Sequence, residues 1–169
     1  MEEPDIQKGT GYKKIKTFGV SLLLVICFSS LNTFGGECIK GDCVNGWGSY
    51  SYPDNGNYEG EWRDRMFHGQ GLYTFPDGGK YIGKMSDGER NGRGIMFYPD
   101  GGKYVGLWRG GDMNGYGTFT YPDGSKYDGR WENGNYHGRG TYLYNDKDKR
   151  FKYVGRFIYG KKNGYATGT

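Results

Sequence analysis

The chain is poor in the residues from which most active sites and metal centres are made. Its 169 residues include only 2 His and 3 Cys, and neither histidine has a cysteine nearby or a partner at the H-x₃-H spacing that a zinc site uses. There is no G-x-S-x-G nucleophile turn. Beyond residue 36 no window repeats its apolar residues at the helical period, and 34 glycines oppose helix at about 1 kcal/mol per helical position relative to Ala. A dense basic block is also missing. From residue 36 onward 19 Lys and Arg are interspersed with 16 Asp and Glu, so charge does not nominate nucleic acid as a partner.

What the chain has is rings. Aromatics make up 18% of it, with 17 Tyr, so the apolar surface comes from aromatic side chains rather than from a conventional aliphatic core.

The one sustained apolar run is FGVSLLLVICF at residues 18–28, preceded by Lys13, Lys14 and Lys16. Basic residues, a short apolar run and then small and polar residues are the layout of a secretory signal peptide, and a span would need about 20 apolar residues. A cut after Gly35 leaves Thr33 and Gly35 as the small −3 and −1 residues. The expected location is therefore exported: periplasmic, cell-surface or secreted. The alternative is that residues 18–28 stay uncleaved as a short anchor, so residues 1–35 are read as signal peptide or anchor and 36–44 as a lead-in. Cys38 and Cys43 lie in that lead-in, within ECIKGDCVNG. A disulfide between them suits an oxidising compartment, with unpaired thiols or a metal pair as the other readings.

Downstream, one pattern recurs. Tyr58, Tyr81, Tyr104 and Tyr127 each open a copy, every one 23 residues after the last, and a fixed period of this size marks a repeat architecture. The copies are 58–80, 81–103, 104–126 and 127–152, with a half copy at 45–57 and a truncated one at 153–169. Within a copy the first strand alternates Tyr, Gly and an aromatic, as in Tyr58, Gly60 and Trp62. The second alternates Gly69, Gly71, Tyr73 and Phe75. A period of two places these residues on one face of a sheet and Glu59, Glu61 and Gln70 on the other. Pro-Asp-Gly at 76–78, 99–101 and 122–124 supplies a turn between copies. The predicted fold is all-β: an elongated single antiparallel sheet of consecutive hairpins. About ten strands roughly 4.8 Å apart make it on the order of 45–50 Å across.

The glycines have a physical purpose in such a sheet. A ring lies flat across a neighbouring strand only where that strand has no side chain, so the glycines are expected to seat the tyrosines and tryptophans, each ring covering about 150–250 Å².

The combination Y-x-G-x-W, then N-G or H-G, then G-x-aromatic-x-aromatic-P-D-G at this spacing resembles the membrane occupation and recognition nexus, or MORN, repeat over about residues 45–169. Met85 and Phe157 in the Trp column, the insertion at 145–152 and Ala166 depart from the pattern. The resemblance implies a scaffold that binds protein partners or self-associates, with phospholipid binding also proposed for the family, and no cofactor.

Candidate residues fall into three groups. The aromatic face, Tyr58, Trp62, Tyr81, Tyr104, Trp108, Tyr127 and Trp131, is either a partner-binding surface or core. Lys80, Lys103, Lys126 and Lys152 each precede an opening tyrosine and form a ladder with rungs about 10 Å apart. That ladder suits anionic lipid headgroups or an acidic partner, or simply keeps a sheet soluble. The third group is the Cys38 and Cys43 pair. Rings spaced along a sheet also suit carbohydrate or cell-wall binding. His68 and His137 occupy equivalent turn positions, Asp146 and Asp148 sit in an insertion, and the Pro-Asp-Gly aspartates are turn residues. With no unrepeated constellation among them, neither an enzyme nor a small-molecule substrate is expected.

Overall fold

A computed structural model describes residues 35–145 and 151–163. They form one antiparallel sheet in which spatial order follows chain order throughout. Its strands are β1 (Glu37–Gly41), β2 (Gly46–Ser51), β3 (Asn57–Arg63), β4 (Met66–Thr74), β5 (Lys80–Ser86), β6 (Glu89–Phe97), β7 (Lys103–Arg109), β8 (Asp112–Thr120), β9 (Lys126–Glu132), β10 (Asn135–Leu143), β11 (Lys152–Ile158) and β12 (Lys161–Asn163). The all-β hairpin fold expected from the sequence is therefore present, with 12 strands where about ten were expected. The extra strand at the start comes from the lead-in: β1 pairs with β2, from Glu37 opposite Ser51 to Gly41 opposite Gly48. The Cys38–Cys43 disulfide links this strand to the turn that follows it. The signal-like segment, Asp146 and Asp148 lie outside the described residues.

Two kinds of turn alternate. Between copies, the Gly78 amide donates to the Phe75 carbonyl at 2.9 Å and the Phe75 amide to the Gly79 carbonyl at 2.8 Å. Asp77 Oδ1 accepts from the Gly79 amide at 2.9 Å, and Gly78 takes φ +88°. Proline sets the turn, aspartate ties it down and glycine adopts the left-handed backbone that returns the chain to the ladder. Within copies, two-residue tips carry positive φ at both positions, as at Asp87 (53°) and Gly88 (80°), which matches the twist of the strands they join. Each tip also reaches back to the preceding hairpin: the Gly88 amide donates to the Phe67 carbonyl at 3.0 Å, and the Gly134 amide to the Met113 carbonyl at 3.0 Å.

One row of glycines crosses nearly the whole sheet in register. Gly41 faces Gly48, which faces Gly60, and the row continues through Gly71, Gly83, Gly94, Gly106, Gly117, Gly129 and Gly140 to Gly155. The opening tyrosines lie across it. A Cβ built on Gly129 would fall 2.6 Å from Gly140 Cα and 2.7 Å from Tyr127 Oη, and one on Gly60 would meet Gly71 Cα and Tyr58 Oη at 2.6 and 2.7 Å. No real Cβ fits there, so these glycines are seats for tyrosine rings, as expected; no tryptophan side chain is among the atoms nearest to them.

One tip departs from its siblings. Where the others carry Gly88, Gly111, Gly134 and Gly160, the first carries Arg65 at φ +63°, a backbone state that costs an L-residue roughly 1–2 kcal/mol. Arg65→Gly is expected to raise stability by about 1 kcal/mol and the melting temperature by about 4 °C, read by thermal denaturation. An unchanged or lowered melting temperature would contradict this account of the tip.

Candidate docking face

The ring face is filled by the protein itself. Tyr58, Tyr81, Tyr104 and Tyr127 are each 0% exposed, and Trp62, Trp108 and Trp131 are buried at 7%, 4% and 2%. Rings from successive copies interlock edge to face. The Tyr104 centroid lies 5.1 Å from Trp108 in its own strand and 5.2 Å from Trp131 in the next copy. Tyr127 meets Trp131 at 5.2 Å and Phe157 at 5.0 Å and stacks on Tyr136 at 3.8 Å. The seven aromatics considered as a partner-binding face are thus core, and the surface reading of them is corrected. A lone sheet would leave its rings open, but here each tyrosine lies in a glycine seat and all seven rings are enclosed by neighbours from their own and adjoining copies.

Each tyrosine hydroxyl has a fixed task. The ladder between paired strands breaks just past the glycine row: Gly60 pairs with Gly71, but Glu61 pairs with His68, leaving Gly69 and Gln70 bulged, with Gly69 at φ +56°. Tyr58 Oη donates at the break to the Glu61 carbonyl at 3.0 Å or the His68 carbonyl at 3.2 Å. Tyr81, Tyr104 and Tyr127 donate likewise to Lys84, Leu107 and Arg130 at 2.8, 3.0 and 2.9 Å. Phenylalanine would fill the seat and leave the break uncapped. The indole N–H groups of Trp62 and Trp131 reach the Gly48 and Gly117 carbonyls at 3.1 and 3.0 Å. Trp108 Nε1 is buried with no hydrogen-bond partner among the described residues. Arg90 lies over the Trp108 ring instead, 4.3 Å from its centroid.

Arg90 was missed by sequence reasoning. It occupies the column held by Phe67, Met113 and Tyr136, opposite Met85, which stands in the Trp column. It is only 5% exposed, and burial holds its guanidinium below the ordinary arginine value. The signal was a charge in an otherwise apolar column.

The histidines also sit differently from expectation. His68 and His137 lie within β4 and β10 beside the bulges, not in turns, and His137 Nδ1 is 3.1 Å from Glu132 Oε2. Among the described residues no group of three or more His, Cys, Asp or Glu is placed to hold a metal ion.

The opposite face remains open. One register row on it runs Leu72, Ile82, Ile95, Val105, Thr118 across β4 to β8. Ile82 and Val105 are 45% and 43% exposed, and Tyr116 is 70% exposed. Between this row and the Gln70, Arg93, Leu107 and Tyr116 side chains runs an open groove of about 420 Å³, floored by Gly83, Gly94 and Gly106. Sequence reasoning overlooked this groove because its aliphatic residues fall at the variable positions. The same column reads Glu59, Ile82, Val105, Asp128 and Val154. The four ladder lysines share one row of this face, Lys80, Phe97, Lys103, Thr120, Lys126, Leu143, Lys152.

The MORN repeat family model matches residues 58–80, 81–103, 104–126, 127–149 and 153–167. No curated protein sequence matches the chain significantly. Among solved structures the chain is similar to the SAS-4 (dCPAP) TCP domain in complex with a proline rich motif of Ana2 (dSTIL) of Drosophila melanogaster. The identity is 13%, over 88% of this chain and 97% of that chain, with a TM-score of 0.33. A likeness this loose carries no argument about fold or binding.

The buried phenols set a pH limit on the sheet. Burial pushes Tyr58, Tyr81, Tyr104 and Tyr127 far above the ordinary tyrosine value. In the unfolded chain these groups ionise near pH 10. Their contribution is therefore complete below about pH 10 and is lost as pH rises from there toward the folded-state values, because the unfolded chain releases protons that the fold retains. Urea unfolding across the alkaline range is expected to show stability falling above about pH 10, with tyrosinate absorbance appearing together with loss of the aromatic circular dichroism. Smooth ionisation of all tyrosines with the sheet signal intact would contradict it.

Proposed function

The chain belongs to the MORN repeat family, and from that premise we propose that it is an exported, noncatalytic repeat scaffold that holds protein partners on the outer face of its sheet. The observation carrying this reading is the division of labour between the faces. The opening tyrosines and the tryptophan column of the ring face are consumed by internal packing, while the outer face leaves Ile82, Val105, Leu107 and Tyr116 in solvent. A contiguous exposed apolar patch with a polar surround is characteristic of an interaction surface. Chemistry on this scaffold would need a constellation that the repeats do not carry. Self-association is a further way to cover the patch.

The Cys38–Cys43 bond supports export, since disulfides persist in oxidising compartments, and so does the layout of residues 1–35. The lysine row favours a second reading, attachment to anionic lipid. Lysines on alternate strands, exposed at Lys80, Lys126 and Lys152 and half-buried at Lys103, make it electrostatic and therefore salt-sensitive.

Cross-linking in the native host tests the function. The wild-type chain is expected to form protein adducts that a Val105→Asp, Leu107→Asp variant of equal melting temperature loses by about tenfold. The N-terminal residue of the same purified protein reports export, which predicts that residues 1–35 are gone. Adducts unchanged by the substitutions would remove the outer face from the reading. Flotation with anionic vesicles at low salt, lost when the four lysines become Glu, would favour the lipid attachment instead.

A further inference from the structure

We propose that the outer-face groove takes a single extended segment of a partner protein, about six residues long, that combines aliphatic and acidic residues. The inference rests on the scaffold reading above and specifies its ligand.

Width selects an extended chain. The groove's two walls, Ile82, Ile95 and Val105 on one side and Leu107 and Tyr116 on the other, stand two residues apart along each strand, or about 7 Å. An extended chain can run along walls this close and lower side chains between them, whereas a helix, about 10–12 Å across with its side chains, cannot bring its backbone into the groove. The floor is glycine backbone whose amides and carbonyls belong to interior strands of the sheet, so recognition falls to side chains and not to strand addition.

Charge selects the sequence. Lys80 and Lys103 stand in the row beyond the aliphatic wall, while Arg93 stands in the opposite wall and Lys84 pairs with Gln70 of that wall. Within β5 to β8 the three register rows around the groove contain no Asp or Glu; Glu89 and Asp112 sit at the tip ends of β6 and β8. An apolar channel with cations along both rims fits a ligand with several carboxylates distributed along its length. An acyl chain has the right width, but its charge is confined to one end, so it leaves one rim unmatched.

The same rows fix the length. Glu59, paired with Leu72, closes the aliphatic row on one side, and Asp128, paired with Thr118, closes it on the other. Five strands lie between them, about 19 Å, which an extended chain covers in about six residues. An acidic segment running further would meet like charge.

Selection of a displayed random 12-residue peptide library on the full-length, oxidised chain tests this. Enriched peptides are expected to combine Ile, Val or Leu with Asp or Glu. Their affinity, read by fluorescence anisotropy, is expected to fall about tenfold with Leu107→Glu and again with Arg93→Glu, and to weaken with salt. Both positions are on the open face, and variants are compared only at equal melting temperature. Enriched peptides that bind Leu107→Glu as well as wild type overturn the groove while leaving the scaffold reading intact. Enriched peptides that are basic or uncharged overturn the charge assignment. A library with no binder overturns the proposal. If no peptide is enriched and anionic phosphatidylserine vesicles bind the same preparation in a lysine-dependent way, the scaffold reading falls with it.

Discussion

A tyrosine ring laid over a pair of glycines is the contact on which this structure depends. The ring occupies the volume that two Cβ atoms would fill, and its hydroxyl reaches the carbonyl exposed where the strand ladder breaks, as Tyr127 does to Arg130 at 2.9 Å. One side chain thus supplies apolar burial and satisfies a backbone group that the bulge would otherwise leave without a partner. Glycine alone would weaken a strand. Here the weakness is offset locally by the ring it admits.

The rest of the architecture follows from repeating that contact. Because each ring also meets the tryptophan column of its own and the next copy, neighbouring hairpins share one aromatic layer, and tip amides bonded to the preceding hairpin keep the copies in step. No second sheet or helix covers this layer among the described residues. Each copy has contacts mainly with its neighbours, so stability is distributed along the chain in the manner of other repeat proteins. The cost of the arrangement is that the opening tyrosines and the tryptophan column are spent on packing. On the other side the repeat constrains little, and there the aliphatic residues of the middle copies gather.

Much of this was legible in the sequence because the decisive signal is an absence at fixed offsets. Gly60, Gly83, Gly106 and Gly129 recur two residues after a tyrosine, and only a flat contact with a neighbour explains such a column. The Pro-Asp-Gly turns were equally readable, since their chemistry is local. β1 was not readable, because residues 37–41 carry neither the ring nor the tip columns. Full burial of Tyr58 and its equivalents was not readable either, because it depends on contacts between copies that no single repeat reveals. The groove was hidden for another reason. Ile82 and Val105 belong to one copy's first strand each and Ile95 to a second strand, and only the register Ile82 to Ile95 to Val105 shows that they form one row.

The most direct measurement of the central contact is a double-mutant cycle between Gly140 and Tyr127. A Cβ on Gly140 meets only the Tyr127 ring among its three nearest atoms, so Gly140→Ala should cost about 2–3 kcal/mol in the wild-type chain. In a Tyr127→Ala background, where the seat is empty, most of that cost should vanish. If Gly140→Ala is equally destabilising with and without the ring, the glycines serve backbone conformation and not the tyrosines, and the account fails.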